Sequence, residues 1–242
     1  MVPSSVFVIG EFKKGKSSLV NGLIAADACP TPVHLTTEVP TVVLWGPARS
    51  AAALWDEGAE TEFEMAWDEA LALITSPEAP SGRRLSRVLL STPSDLLEAG
   101  CVLVDTPAFG LAGWESHRTN TASLGMADAV IMATDASQEY TATELDVIAT
   151  SSDAGATLVF VMTKIDFYPD WRRVMGLNQV HLDRCGFDAE LLPVSNTLVQ
   201  VARRRSDEQL QADSGFPRLL EVLASEILRP NQTARSVEDT SS

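Results

Sequence analysis

The sequence predicts an α/β fold, a mostly parallel sheet in a single domain with helices on both faces. Three observations predict it. Short apolar runs of strand length alternate with helix-patterned segments along the 242 residues. The strand candidates carry few polar residues, as strands buried on both faces do. A glycine-bounded loop, Gly10 to Ser17, leaves the first of these runs and opens the first helix.

Taken in order, Val6 to Ile9 reads as a buried strand, and Leu19, Val20, Leu23 and Ile24 follow at helical spacing. Residues 26–38, rich in Pro, Thr and Ala, read as a loop. Val39 to Trp45 reads as a second strand with Pro40 confined to its start. Glu62 to Ile74 reads as a helix with Trp67, Leu71 and Ile74 on one face, and Thr75 to Arg84 as a surface loop. Val88 to Leu90 and Cys101 to Val104 read as strands around a short helical turn near Ser94 to Glu98. Ala129 to Ala133 is another buried strand, and Thr141 with Glu144 forms a capping box opening a helix with Leu145 and Ile148 inward. Leu158 to Met162 is a core strand. A helix covers Trp171 to Cys185, closed by Gly186, before a last strand at Leu191 to Val194. Pro217 suits the first turn of a final helix carrying Leu219, Leu220, Leu223 and Ile227. The expected domain is 1–229, followed by a polar, disordered tail over 230–242.

Composition narrows the function. Hydrophobic residues make up 45% and mean hydropathy is +0.06, enough for a packed core and too apolar for a disordered chain. No apolar run approaches a membrane span, and Met1 to Ser5 lacks the basic start of a secretory signal. A net charge of −15 argues against a direct grip on nucleic acid or anionic lipid. Cys29, Cys101 and Cys185, odd in number and widely spaced, suit reduced thiols in a cytoplasm. The four lysines are Lys13, Lys14, Lys16 and Lys164, against fourteen arginines. These positions either need a compact ammonium or reflect codon bias and coincidence.

Gly10-Glu11-Phe12-Lys13-Lys14-Gly15-Lys16-Ser17 fits G-x-x-x-x-G-K-[ST] between a strand and a helix. Such a loop curls backbone N–H groups around phosphate oxygens at a helix N-terminus. Lys16 would reach the β- and γ-phosphates and the Ser17 hydroxyl would ligate Mg²⁺. Asp105-Thr106-Pro107 follows directly on a strand, where a carboxylate can hold a Mg²⁺-bound water across from the phosphate loop. Thr163-Lys164-Ile165-Asp166 also ends a strand. A carboxylate there can accept two hydrogen bonds from guanine, which adenine does not offer, and the Lys164 stem can pack on the base.

With these residues in view, the chain resembles GTPases of the dynamin superfamily, nearest the bacterial dynamin-like branch and actinobacterial isoniazid-inducible relatives. The likeness runs through Gly10 to Asn21, including the double serine Ser17-Ser18, and the Pro30 to Thr41 stretch resembling a first switch. It continues through Asp105 to Gly110, resembling a second switch, then Ala127 to Leu145, Pro193-Val194-Ser195-Asn196 and Ser214-Gly215-Phe216. The resemblance implies a P-loop GTPase fold over residues 5–229, with Mg²⁺ and GTP or GDP as ligands. It implies that Thr37 ligates Mg²⁺ and positions the attacking water, with Thr36 as fallback. Asp166 would read guanine, and Ser195 and Asn196 would offer backbone N–H groups to the base oxygen. At Lys13 it implies either a built-in cation, where dynamins hold a monovalent ion, or a solvent-facing lysine.

Three departures shape the expectation. Ala108 stands where the family usually has glycine, restricting φ at the γ-phosphate sensor. Phe12 stands where eukaryotic dynamins carry a polar catalytic side chain. No heptads of a stalk follow residue 229, so a GTPase domain alone is expected, working as a nucleotide-dependent homodimer or with a fuller dynamin-like chain. The competing readings are a hydrolysis-poor GTP-dependent switch or partner subunit, and a P-loop ATPase or kinase, against which Thr163 to Asp166 argues. The tryptophans read as core or rim aromatics, the histidines as surface residues, and Arg203-Arg204-Arg205 as a solvated helix face or a docking patch.

Overall fold

A computed structural model describes residues 3–31, 37–56, 60–76, 84–109 and 127–228. The expectations for Thr36, Gly110, Trp114, His34, His117, residues 77–83 and the tail over 230–242 lie outside the described residues.

The strands are β1 (Ser4–Ile9), β2 (Thr41–Trp45), β3 (Ser50–Asp56), β4 (Glu60–Met65), β5 (Arg84–Thr92), β6 (Cys101–Asp105), β7 (Ala129–Asp135), β8 (Thr157–Thr163) and β9 (Leu191–Pro193). They form one sheet in the order β4-β3-β5-β2-β6-β1-β7-β8-β9. The run from β6 to β9 is parallel throughout, as is β2 on β5. β2 is antiparallel to β6, and β3 is antiparallel to both β4 and β5. The sheet is therefore mostly parallel, with an antiparallel hairpin added at one edge.

The side-chain period of two sorts each central strand between two cores. Val6 and Val8 of β1, Ile131 of β7 and Val159 and Val161 of β8 face one core. Ile9, Val130, Met132, Phe160 and Met162, from the same strands, face the other. The first face is covered by α1 (Lys16–Ile24), α2 (Trp67–Thr75), α3 (Asp95–Glu98), α6 (Asn196–Arg205) and α8 (Phe216–Leu223). The second is covered by α4 (Ala142–Asp153) and α5 (Trp171–Arg184). A short α7 (Glu208–Asp213) links α6 to α8. Such two-sided cover explains why the central strands read as unbroken apolar runs.

The expected helix over Glu62 to Ile74 is corrected. Only Trp67–Thr75 is helical, and Glu60–Met65 is an edge strand. Its alternating Glu62-Phe63-Glu64-Met65 has the period of a half-exposed strand, and its glutamates blunt the free edge. The partner β3 escapes notice in the sequence because its Ala51-Ala52-Ala53 run has weak strand preference. Those alanines are buried nonetheless, paired with Val88, Leu89 and Leu90 of β5. Trp45 is a rim aromatic, lying 44% exposed at the end of β2.

The capping box at Thr141 is present in full: its hydroxyl accepts from Glu144 N–H, and the Glu144 carboxylate accepts from Thr141 N–H. Pro217 sits in the first turn of α8. Arg203 is half-buried: it donates to Gly22 O at 2.5 Å and ties α6 to α1, leaving Arg204 and Arg205 exposed. No helix among the described residues is long and apolar enough to cross a membrane.

Candidate functional site

The parallel run β6-β1-β7-β8-β9 points five carboxyl ends at one edge, where ligands of open α/β sheets bind. The polar residues singled out in the sequence fall there: Gly10 after β1, Asp105 ending β6, Thr163 ending β8, Asp166 just beyond, and Ser195 after β9.

The phosphate loop is shaped by close approach. A Cβ on Gly10 would lie 2.3 Å from Ala133 O, so only glycine lets the chain leave β1 pressed against β7. Gly15, at φ 85°, turns the chain into α1. Lys16 Nζ donates to Gly10 O and Glu11 O, each at 3.0 Å, bracing the loop from inside. Burial lowers the Lys16 pKa from 10.5 to about 8, against the opposing pull of Asp105 and Glu11.

Ser17, Thr37 and Asp105 come together. Ser17 Oγ donates to Asp105 Oδ2 at 2.6 Å, and Thr37 Oγ1 donates to the same oxygen at 3.2 Å. The two hydroxyl oxygens are 3.1 Å apart. Asp105 Oδ1 is buried without a hydrogen-bond partner among the described residues. Burial raises the Asp105 carboxyl above its ordinary range, although Ser17, Lys16 and Thr37 each pull the other way. Three hard oxygen donors with one buried oxygen unfilled fit a small divalent cation such as Mg²⁺. Thr37 is held beside an anchored backbone, since Glu38 N–H donates to Ile74 O at 2.9 Å. The preceding segment is fixed by Asn21 of α1, whose Oδ1 accepts from Ala28 N–H and Cys29 N–H and whose Nδ2 donates to Cys29 O.

Beyond β8 and β9, Ser195 Oγ donates to Asp166 Oδ1 at 2.5 Å and accepts from Leu198 N–H, capping α6. The Ser195 N–H already donates to Ser214 O at 2.9 Å, so it is not open to a base oxygen. Ser195 thus reaches Asp166 through its hydroxyl alone. Asn196, first in α6, keeps an N–H with no acceptor inside its helix.

The Lys14 side chain is buried, 3.2 Å from Asp135 Oδ1 and 3.8 Å from Glu144 Oε1. Thr163 Oγ1 donates to Lys14 O at 2.7 Å, and Lys164 Nζ donates to Lys13 O at 2.5 Å and to Asp135 Oδ2 at 2.7 Å. The Thr163-Lys164 pair thus grips the phosphate loop by two consecutive carbonyls. Lys13 and Lys164 both sit at φ 61°, a left-handed conformation costing roughly 1–2 kcal/mol for a residue with a Cβ. Lys13 is exposed, its ammonium over the Phe12 ring at 5.1 Å, on the outer side of the loop. Phe12 itself is 41% exposed, and Ser18 is half-buried in the first turn of α1. Glu11 Oε1 accepts from Thr141 Oγ1 at 2.7 Å, which holds the loop to the start of α4. Ala108 is buried without a positive φ, and Phe109 bridges to Glu11.

Sequence reasoning missed Asp135. Its signal was its place, an aspartate ending a strand as Asp105 does. Burial would raise its pKa, but bonds from Lys164 and Ser137 and the charges of Lys14 and Lys164 outweigh this and hold it below the usual range.

The comparisons agree with this geometry. A model described as the dynamin family matches residues 6–165. The isoniazid-induced protein IniA of Mycobacterium tuberculosis is 30% identical over 226 residues, 92% of this chain and 35% of that protein. A bacterial dynamin-like protein of Nostoc punctiforme is 26% identical over 129 residues, 50% of this chain and 18% of that one. This chain thus spans about a third of the mycobacterial relative's length. Among solved structures, one from an oligomerised bacterial dynamin pair superposes with a TM-score of 0.63 at 21% identity, over 92% of this chain and 34% of that one. Era of Aquifex aeolicus bound to GDP.AlF4- gives 0.51 at 13% identity, over 94% and 57%. Both structures share the fold of a P-loop GTPase with this protein. The chain belongs to the dynamin family, and what it carries is that family's GTPase domain.

Proposed function

We propose that this domain binds GTP together with Mg²⁺ at the strand ends and hydrolyses the γ-phosphate by in-line attack of water. Turnover rises when two nucleotide-loaded chains meet. The observation that carries the reading is the convergence of Ser17, Thr37 and Asp105 beside the phosphate loop. Mg²⁺, when bound by these three residues, would neutralise charge on the β- and γ-phosphates.

Each residue then has a part. The backbone N–H groups from Glu11 to Ser18 cradle the phosphates, and Lys16 exchanges its two loop carbonyls for phosphate oxygens. The Thr37 backbone orders the water. Asp166 accepts two hydrogen bonds from guanine, with Ser195 fixing its carboxylate and Asn196 N–H facing the base oxygen. Lys164 lays its stem along the base, and Thr163 steadies the loops without reaching the nucleotide. Lys13, on a loop tip that a second copy could press inward, supplies an ammonium to the charge developing between the β- and γ-phosphates.

Two features support dimerisation through this face. Phe12 is 41% and Phe167 73% exposed on the two loops that frame the cleft. A bacterial dynamin sharing the fold is described as an oligomerised pair. The partner is a second copy or a fuller dynamin-like chain, and the cytoplasm, where Cys29, Cys101 and Cys185 stay free thiols, is the proposed location. The hydrolysis-poor switch is the second reading, favoured by Ala108 in place of glycine and by Phe109 docked on Glu11. Phosphate release measured against protein concentration separates them. A rate per molecule that climbs with concentration supports the hydrolase, and tight GTP binding with no turnover at any concentration supports the switch.

A further inference from the structure

We propose that Asp135 is a positioning residue that couples guanine recognition to the phosphate loop by holding Lys14 and Lys164 on one buried carboxylate. Asp135 ends β7 in register with Thr163 and is only 6% exposed. Its Oδ1 takes Lys14 Nζ at 3.2 Å and Ser137 Oγ at 2.6 Å, and its Oδ2 takes Lys164 Nζ at 2.7 Å. These lysines belong to the two loops assigned above to phosphate and base, so the inference rests on that functional reading.

The geometry makes one carboxylate the common anchor of both loops. Lys164 Nζ lies between Asp135 Oδ2 and Lys13 O, so the same ammonium spans the base loop and the phosphate loop. Asp166 follows Lys164 by two residues, and the left-handed turn at Lys164 sets where it points. Lys14 is 5% exposed, and among the described residues its other carboxylate partner is Glu144, with Oε1 at 3.8 Å. Removing the Asp135 charge leaves the buried Lys14 ammonium with Glu144 alone at 3.8 Å and frees that of Lys164, which moves both loops together. The hydrogen bonds of Asp135 go to Lys14, Lys164 and Ser137 and to none of Ser17, Thr37 or Asp166, so it acts through the lysines. The placement also gives a reason for lysine at both positions: each presents a compact charge to one carboxylate oxygen, where a guanidinium fork would claim both.

The test is release of fluorescently labelled GDP, together with the ratio of guanine to adenine nucleotide affinity, in the full chain. Asp135→Asn should speed GDP release by about tenfold or more and lower the guanine-to-adenine ratio. Lys164→Met in the Asp135→Asn background should add much less than it costs alone, because the two act as a unit. Ser137 is exposed and outside the nucleotide contacts, so Ser137→Ala tests the same anchor if Asp135→Asn does not fold; it should speed release in the same direction by a smaller factor. Unchanged release in the folded variants, fully multiplicative losses, or a lowered melting temperature with an unaltered base ratio would overturn the proposal. A wild-type chain that takes up no guanine nucleotide would instead overturn the functional reading beneath it.

Discussion

Ser17 and Asp105, 88 residues apart in sequence, meet through a 2.6 Å hydrogen bond from the serine hydroxyl to Oδ2. Both the Ser17 and Thr37 hydroxyls place their hydrogens on that one oxygen, while Oδ1 has no hydrogen-bond partner among the described residues. An array in which one buried acceptor is doubly served and its twin is empty is set up for exchange. A divalent cation would take the oxygens and displace the hydrogens.

Asp105→Asn tests that exchange. The amide keeps the shape and removes the charge that a cation needs. GTP turnover should fall by about a hundredfold or more, and added Mg²⁺ should no longer sharpen nucleotide affinity. Turnover at the wild-type rate, measured by phosphate release over a Mg²⁺ titration, would contradict the assignment.

Asp166→Asn should weaken GTP by about 1.5–3 kcal/mol and relax selection towards xanthine nucleotides. Ser195→Ala should weaken it by less, and should also cost about 1 kcal/mol of stability because Ser195 caps α6. Calorimetric titration with GDP and xanthosine diphosphate, alongside denaturant melts, reads both effects. Equal affinities across wild type and Asp166→Asn would remove the base-reading role.

Lys16 gives a pH dependence with a definite sign. Its pKa is lowered from 10.5 to about 8 in the nucleotide-free fold. Between these values the unfolded chain holds more protons than the folded one. This group therefore raises stability as pH climbs from about 8 towards 10.5, and its burial cost is present in full below about 8. Phosphate binding runs the opposite way, since it requires the ammonium. GTP affinity should fall above pH 8 with proton uptake on binding, visible as a binding enthalpy that changes with buffer ionisation heat. A flat affinity from pH 7 to 9.5 with no buffer effect would count against Lys16 as the phosphate-reaching group.

Lys13→Ala should lower turnover far more than nucleotide affinity at high protein concentration, the mark of an interaction made mainly in the transition state. Wild-type turnover should be equal in sodium, potassium and choline buffers. Potassium-dependent turnover, or an unchanged rate in Lys13→Ala, would leave Lys13 as no more than an exposed lysine over Phe12.

The legible parts of the fold were those whose signal is local. The Gly10 to Ser17 loop, the Thr141 capping box and the apolar runs of β1, β7 and β8 each declare themselves within a few residues. The hairpin of β3 and β4 did not, because Ala51 to Ala53 owe their strand conformation to β5, a non-local partner. The same holds within the site. Ser17, Thr37 and Asp105 were named from spacing and resemblance, and the structure brings the three together. The direction of Lys14 was not, because it is decided by Asp135 and Glu144, which lie over a hundred residues along the chain. Arg203 hid its role in a run of three like charges, and only packing on α1 distinguishes it from its neighbours.

The most direct measurement is steady-state phosphate release from GTP and from ATP, each with Mg²⁺ and with excess chelator. Release should occur from GTP with Mg²⁺ and fall to background with chelator or with ATP. Comparable release from ATP would contradict guanine reading by Asp166, and release that persists in chelator would contradict a Mg²⁺ site at Ser17, Thr37 and Asp105.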